Sequence, residues 1–350
     1  MVFIEESQKI FQLFRIAMQQ DASDLHIKVG SPPNIRVNGL LQDVEFPPIT
    51  PHDAHYHLLP LLTPKMQKNL SLNKDINTVF QFKSFGRIRA SIFKQRGSIS
   101  AVFRFIKENP PTMKELGLPE AIREMALRPR GLLLVTGSAN NGKSTTLAAI
   151  VNEINANKNS HIITVEDPVE YVHKKKSSLI TQRELESCAL TYERALTNAL
   201  REDPDVILIG EMRNLETIEM ALTSAETGHL VLSTLHTIGA PQSIDRIINA
   251  FPAYRQEEVR TQASLNLIGV ISQILFPKLN GGRVPAFEIM VVTSAMRNLI
   301  REKKTNQLFS NILLGRKYGC ITMKESIQNL MKKRQIEQKL GKKWLDTLKE

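Results

Sequence analysis

The chain has 350 residues, with 46 Lys and Arg against 35 Asp and Glu, a formal net charge of +11 with histidine neutral. At 42% hydrophobic and 23% charged residues, with 17 Gly and 17 Pro, the composition excludes disorder, collagen-like repeats and low complexity, and leaves room for two domains of roughly 100 to 200 residues each. Cys188 and Cys320 are the only cysteines, which excludes a disulfide framework and a four-cysteine zinc site within one chain and makes a reducing, cytoplasmic setting the expectation.

The opening MVFIEESQ carries acidic residues where an export signal would be positive, so none is expected. Ile10, Leu13, Phe14, Ala17 and Met18 recur at helical spacing and predict an amphipathic helix packed on a sheet. DLHIKV, NIRV and LLQDVEF follow as strands, with Asn38-Gly39 as a tight type I′ hairpin turn. DINTVFQF, RIRASIFK and SISAVFRF continue the pattern, the last two joined through Arg96-Gly97. Residues 1–106 therefore read as a small α+β domain, and 107–118, with Pro110-Pro111, as a linker.

From Gly131 onward, strand-sized apolar runs alternate with helical stretches: LLLVT and 143–154, HIITV and 192–201, VILIG and 215–225, HLVLSTL and 240–250. That alternation predicts a mainly parallel sheet covered by helices, an α/β core. After Gln256 the pattern reads as mostly helical. Residues 332–350 hold seven Lys or Arg against three acidic residues and read as a basic tail. Apolar runs such as Val206–Ile209 are far short of the roughly 20 residues that span a bilayer.

LLLVTGSANNGKSTTLAAI places Gly137, four residues, then Gly142, Lys143 and Ser144 between an apolar strand and a helix, the setting a Walker A phosphate loop requires. Backbone amides from Gly137, Ser138, Ala139, Asn140, Asn141 and Gly142 through Thr145 would surround phosphate oxygens. Lys143 would neutralise the β and γ phosphates of ATP, and Ser144 would offer its hydroxyl to Mg²⁺. Glu211 ends the VILIG strand, at the sheet edge where open α/β proteins place their chemistry, and is the candidate to orient and deprotonate an attacking water. Glu166 ends HIITV, with Asp167 and Glu170 beside it, a cluster suited to positioning Mg²⁺ and water. His236 follows a strand at the same edge, and His229 precedes it; either can be a structural histidine. In the first domain, Arg87, Arg89 and Arg104 fall on adjacent strands, where a guanidinium can clamp a γ phosphate or simply face solvent.

ITVEDPVEYVH, TQRE, ALREDPDVILIGEMRNLETIEMALTSAETGHLVLSTLHT, IDRII and FEIMVVTSAMRNLIRE, in that order, resemble the secretion and type IV pilus ATPases, most closely the retraction-type, PilT-like group. The resemblance runs from Ala22 to about Thr322. It implies a PAS-like N-terminal domain over 1–106 and a RecA-like P-loop ATPase core over 119–331, with a helical C-terminal part. It also implies a homohexameric motor that hydrolyses ATP to drive pilus retraction and twitching motility. The partner implied is an inner-membrane platform protein, with the ring cytoplasmic and peripheral at the membrane's inner face. The same resemblance gives Glu166 and Glu211 to the hydrolytic centre, with Ser144 as metal-binding residues, assigns His229 and His236 to a His box, and brings Arg87, Arg89 and Arg104 to the nucleotide.

One feature differs from the family pattern and a second from the general P-loop pattern. The loop usually reads GPTGSGKS, whereas here Asn140 replaces a middle glycine; asparagine tolerates positive φ better than other side chains, so the loop should keep its fold while the side chain crowds the phosphates. The Walker B strand ends in Gly210 rather than aspartate, as is usual in this group. Pilus-extension relatives carry an extra N-terminal domain and a four-cysteine zinc loop, and neither is expected here. An accessory, PilU-like or weakly hydrolysing ring subunit working with an active paralogue is the alternative, which Asn140 favours and Lys143, Ser144 and Glu211 oppose. A nucleic-acid motor is allowed by the P-loop and charge and opposed by the pilus-type motifs.

Overall fold

Alternation decides the first third of the chain. In the computed structural model, which describes residues 9–106, 109–185 and 191–348, the chain divides into two units, 1–108 and 109–350. Cys188 and the opening residues 1–8 lie outside the described residues. Unit one is a six-stranded antiparallel sheet built from β1 (Asp24–Ile27), β2 (Asn34–Val37), β3 (Leu40–Asp43), β4 (Ile76–Phe82), β5 (Gly86–Gln95) and β6 (Ser98–Ile106), in the order β3-β2-β1-β6-β5-β4. Ile88, Ala90 and Ile92 of β5 all point inward, because side chains two apart share a face.

Both expected hairpin turns form: Asn38 and Gly39 have φ of 51° and 89°, and Arg96 and Gly97 have φ of 49° and 76°, the double positive φ of a type I′ turn. The helix Lys9–Gln19 covers the sheet with Ile10, Phe11, Leu13, Phe14 and Ala17. Phe14 meets Phe103 edge to face at 5.0 Å. Met18, expected on this face, is instead 44% exposed in the last turn of the helix, whereas Phe11, seven residues earlier on the same face, is fully buried.

Unit two carries β7 (Gly131–Thr136), β8 (His161–Glu166), β9 (Leu179–Glu184), β10 (Val206–Ile209), β11 (Leu230–Leu235), β12 (Leu267–Pro277) and β13 (Arg283–Val291). They form one sheet in the order β13-β12-β7-β11-β10-β8-β9, parallel except for the β12–β13 hairpin. Every residue of β7, β10 and β11 is buried, as expected for strands covered on both faces. The helices Lys143–Asn157, Tyr192–Ala199, Leu215–Glu226 and Ala240–Asn249 fall where the alternation puts them.

The expectation of a mostly helical region after Gln256 is corrected: the longest strand, β12, and its partner β13 lie there, between the helix Gln256–Asn266 and the C-terminal helices. LIGVISQILF is buried on both faces and shows no period of two, so the sequence pattern does not separate it from a buried helix. β9 was not anticipated either. Met113, within the expected linker, is buried in the core of unit two, and Leu116 and Leu118 pack beside it.

The expected basic tail is also corrected, because its described part folds. Ile336 is fully buried, and the helix Gln338–Thr347 lays Leu340, Trp344 and Leu345 against Ile274 and Phe276 of β12, with its lysines outward. Lysine-rich sequence hides this apolar stripe, since long charged side chains occupy the other face.

Candidate nucleotide site

Four parallel strands of unit two deliver their C-terminal ends to one edge of the sheet, and an open cleft of about 210 Å³ lies there. The phosphate loop follows β7. Gly137 and Gly142 have φ of 141° and 80°, and Asn140 has φ of 63°, so asparagine adopts the left-handed conformation that a glycine would supply. The helix Lys143–Asn157 starts directly after Gly142 and aims its free N-terminal amides at the cleft. Lys143, Ser144, Ala139 and Asn140 line it.

Lys143 Nζ donates to the carbonyls of Gly137 at 2.8 Å and Ser138 at 3.0 Å and lies 3.4 Å from His236 Nδ1. Burial lowers its pKa, while Glu211 and Glu170 oppose the shift. Lys143 can only donate to Nδ1, which leaves Nε2, 2.9 Å from Glu211 Oε1, as the ring nitrogen placed to donate to that carboxylate. His236 thus bridges the phosphate-loop lysine and the β10 carboxylate.

Glu211 is held from both sides. Its neighbours are pinned by Thr234 Oγ1 donating to the Gly210 carbonyl at 2.7 Å and by the Met212 amide donating to the Thr234 carbonyl at 3.1 Å. Arg213 Nε donates to Glu211 Oε2 at 2.7 Å, and its Nη1 lies 3.5 Å from Asp167 Oδ2, tying the β10 end to the β8 end. Gly210 is closely surrounded: a Cβ there would lie 3.1 Å from the Tyr192 hydroxyl and 3.3 Å from the Val165 carbonyl, and these neighbours would have to give by a few tenths of an ångström.

Glu166 stands in a different setting. It accepts from Thr164 Oγ1 at 2.7 Å and Gln182 Nε2 at 3.4 Å, and burial raises its pKa to about 7 against these hydrogen bonds. Gln182 also donates to the Tyr171 carbonyl at 2.8 Å, and the Tyr171 and Thr145 hydroxyls meet at 3.1 Å. Burial pushes the Tyr192 hydroxyl's pKa upward, so it stays neutral at the cleft wall.

Glu166, Glu211, His236 and the loop are therefore brought together; His229 is not. It precedes β11, its carbonyl accepts from the amide of Gly131 at 3.0 Å, and its Nδ1 is 2.9 Å from the Ser224 carbonyl and 3.1 Å from Thr227 Oγ1. The six residues of β11 separate the two histidines by roughly 20 Å, so within its own chain His229 braces the opposite edge of the sheet. In unit one, Arg89 pairs with Arg104 across β5 and β6, Arg87 lies two residues away on the same face, and Arg104 Nε is held 2.8 Å from Asp24 Oδ1. Tyr192 and Arg213 were missed by sequence reading. Arg213 sits two residues beyond Glu211, and that proximity was its only signal.

Among the described residues, no three His, Cys, Asp or Glu side chains gather to hold a metal ion, and no helix is long and apolar enough to cross a membrane. Ser144, Glu166 and Glu211 all line the cleft, a donor set suited to an ion that takes most of its oxygens from a bound phosphate.

Residues 5–340 match the family described as Type II/IV secretion system protein. The chain is 44% identical to the type IV pilus retraction ATPase PilT of Pseudomonas aeruginosa over 93% of its own length and 94% of that protein's. Against the type IV pilus ATPase PilU of the same organism the identity is 38%, over 91% and 84%. The crystal structure of the pilus retraction motor PilT with bound ADP superposes with a TM-score of 0.86 at 43% identity, covering 95% of each chain.

Proposed function

The chain belongs to the type II/IV secretion family and is an ATP-hydrolysing enzyme, and on that premise we propose that it is a ring-forming motor whose ATP turnover drives type IV pilus retraction. The observation that carries this reading is the convergence of Lys143, Glu166 and Glu211, from the ends of separate strands, on one cleft beside a helix N-terminus.

ATP would lay its phosphates in the loop from Gly137 to Thr145, with Lys143 moving its ammonium from loop carbonyls to the β and γ phosphates. Mg²⁺ would accompany the nucleotide, held by Ser144 with Glu166 and Glu211 nearby, and would neutralise charge on the transferring phosphoryl group. Glu211, fixed by Arg213 and His236, suits orientation of the attacking water. Glu166, whose pKa lies near neutrality, suits acceptance of its proton. This divides between two carboxylates the task that sequence reading gave to Glu211 alone. Arg87, Arg89 and Arg104 would stabilise the transition state rather than the bound ground state; Arg104→Ala should then lower kcat more than it raises the KM for ATP, and equal losses in both would remove that role.

The accessory-subunit alternative drew on Asn140. Since Asn140 keeps the loop's left-handed turn, we favour the hydrolysing motor. A homohexamer acting on an inner-membrane platform protein at the cytoplasmic face completes the proposal, with a paralogous ATPase as a further partner. The test is complementation of a strain lacking its retraction ATPase. Wild type should restore pilus retraction and Lys143→Ala should not, whereas restoration only alongside an active paralogue would transfer the chain to the accessory role.

A further inference from the structure

The phosphate loop does not hold its shape alone. β12 runs parallel to β7, with Ser272 opposite Thr136, so Gln273 comes next to Gly137 where the loop begins. Gln273 is 1% exposed and spends its whole side-chain amide on the nucleotide side of the sheet. Its Oε1 accepts from Thr146 Oγ1 at 2.8 Å, on the helix that follows the loop, and its Nε2 donates to the Asn141 carbonyl within the loop. Two residues on, the Leu275 amide donates to Asn141 Oδ1 at 3.0 Å. Both motif glycines are shaped by this strand. A Cβ on Gly137 would collide with the Gln273 carbonyl, and one on Gly142 would lie 3.2 Å from both Gln273 Nε2 and Leu275 Cδ1.

The next side chains of β12 face the other way. Ile274 and Phe276 are buried against the C-terminal helices, where Phe276 meets Trp344 at 5.7 Å between ring centroids. One strand therefore has the phosphate loop on one face and the C-terminal helices on the other. We propose that Gln273 is the positioning residue of the phosphate loop and that β12 transmits the loop's nucleotide state to the helix carrying Trp344. The inference rests on the nucleotide reading of the cleft. Its physical basis is that a buried amide satisfied only by loop and helix cannot move without leaving polar groups unpaired, so the loop and the strand shift together.

Trp344 is the single tryptophan of the chain and so reports on the far face of β12 without labelling. The full chain is titrated with ADP and Mg²⁺, reading displacement of a fluorescent nucleotide and Trp344 emission, with kcat and KM measured in parallel. Wild type should show a saturable emission change whose midpoint matches ADP binding. Gln273→Met, which keeps the volume and loses both hydrogen bonds, should weaken ADP and raise KM about tenfold with kcat within about threefold, and should lose the emission change at saturating ADP. Should Gln273→Met fail to fold, Thr146→Val is read for a smaller shift in the same direction, with Thr146→Ser expected to restore wild-type affinity. A folded variant with unchanged affinity, or a wild type that saturates with ADP while Trp344 stays silent, would overturn the inference. A wild type that binds no ADP would instead overturn the nucleotide reading itself.

Discussion

Glu166 and Glu211 both end strands of one sheet, yet their surroundings set them apart. Glu211 faces a guanidinium and an imidazole, while Glu166 is buried among neutral donors and its pKa climbs from an ordinary 4.5 to about 7. The folded state therefore binds Glu166's proton more tightly than the unfolded chain does. Its contribution to stability, on the order of 3 kcal/mol, is complete below about pH 4.5 and is lost as pH rises through about 7. Glu166→Gln should remove that dependence, so the variant gains on wild type in chemical denaturation as pH rises from 5 to 8; parallel stability curves would contradict the assigned burial. Asn140 offers a second test at this scale. Asn140→Gly should leave stability and nucleotide affinity nearly unchanged, whereas Asn140→Val, forced into positive φ, should cost about 1–2 kcal/mol in thermal unfolding and weaken nucleotide binding. The convergence of the loop, Glu211 and Glu166 on one cleft was legible in the sequence because each follows or ends a strand of one parallel sheet. Within this chain His229 stands apart from the cleft because neighbouring motif residues at opposite ends of a strand lie far apart in space. Gln273 was illegible because its partners lie more than 120 residues upstream.

Elements were read well where periodicity is simple. The hairpins of unit one and the alternating strands and helices from β7 to the helix Ala240–Asn249 follow from patterns of two and of three to four. β12 escaped because a strand buried on both faces carries no alternation, and the C-terminal helix escaped because its lysines dominate the composition. This last correction has a measurable consequence. A dispensable basic tail could be removed without effect, but a chain ending at Lys332 would uncover Ile274 and Phe276 and lose the packing of Ile336, Leu340 and Trp344. Its thermal midpoint should fall by at least about 5 °C, since each kcal/mol lost from a unit this large shifts the midpoint by roughly 2–4 °C. An unchanged midpoint would mean that the helix contributes nothing to the fold.

At the scale of the molecule, composition and charge excluded several classes without choosing one. The net charge of +11 is compatible with nucleic acid, anionic lipid or polyphosphate, and only the ordered motifs of unit two selected the last. Unit one contributes a separate antiparallel sheet whose arginines lie on strands rather than in a loop motif, so the catalytic part proposed for them rests on resemblance alone. The central claim is that the described cleft turns over ATP within a ring. Steady-state Mg²⁺-dependent ATP hydrolysis should therefore be measured on the purified chain and on Glu211→Gln, with particle mass determined on the same samples. The account predicts that both form hexamers and bind ATP and that only the wild type hydrolyses it. Equal turnover by Glu211→Gln, or a wild type that binds ATP as a hexamer without hydrolysing it, would contradict the account.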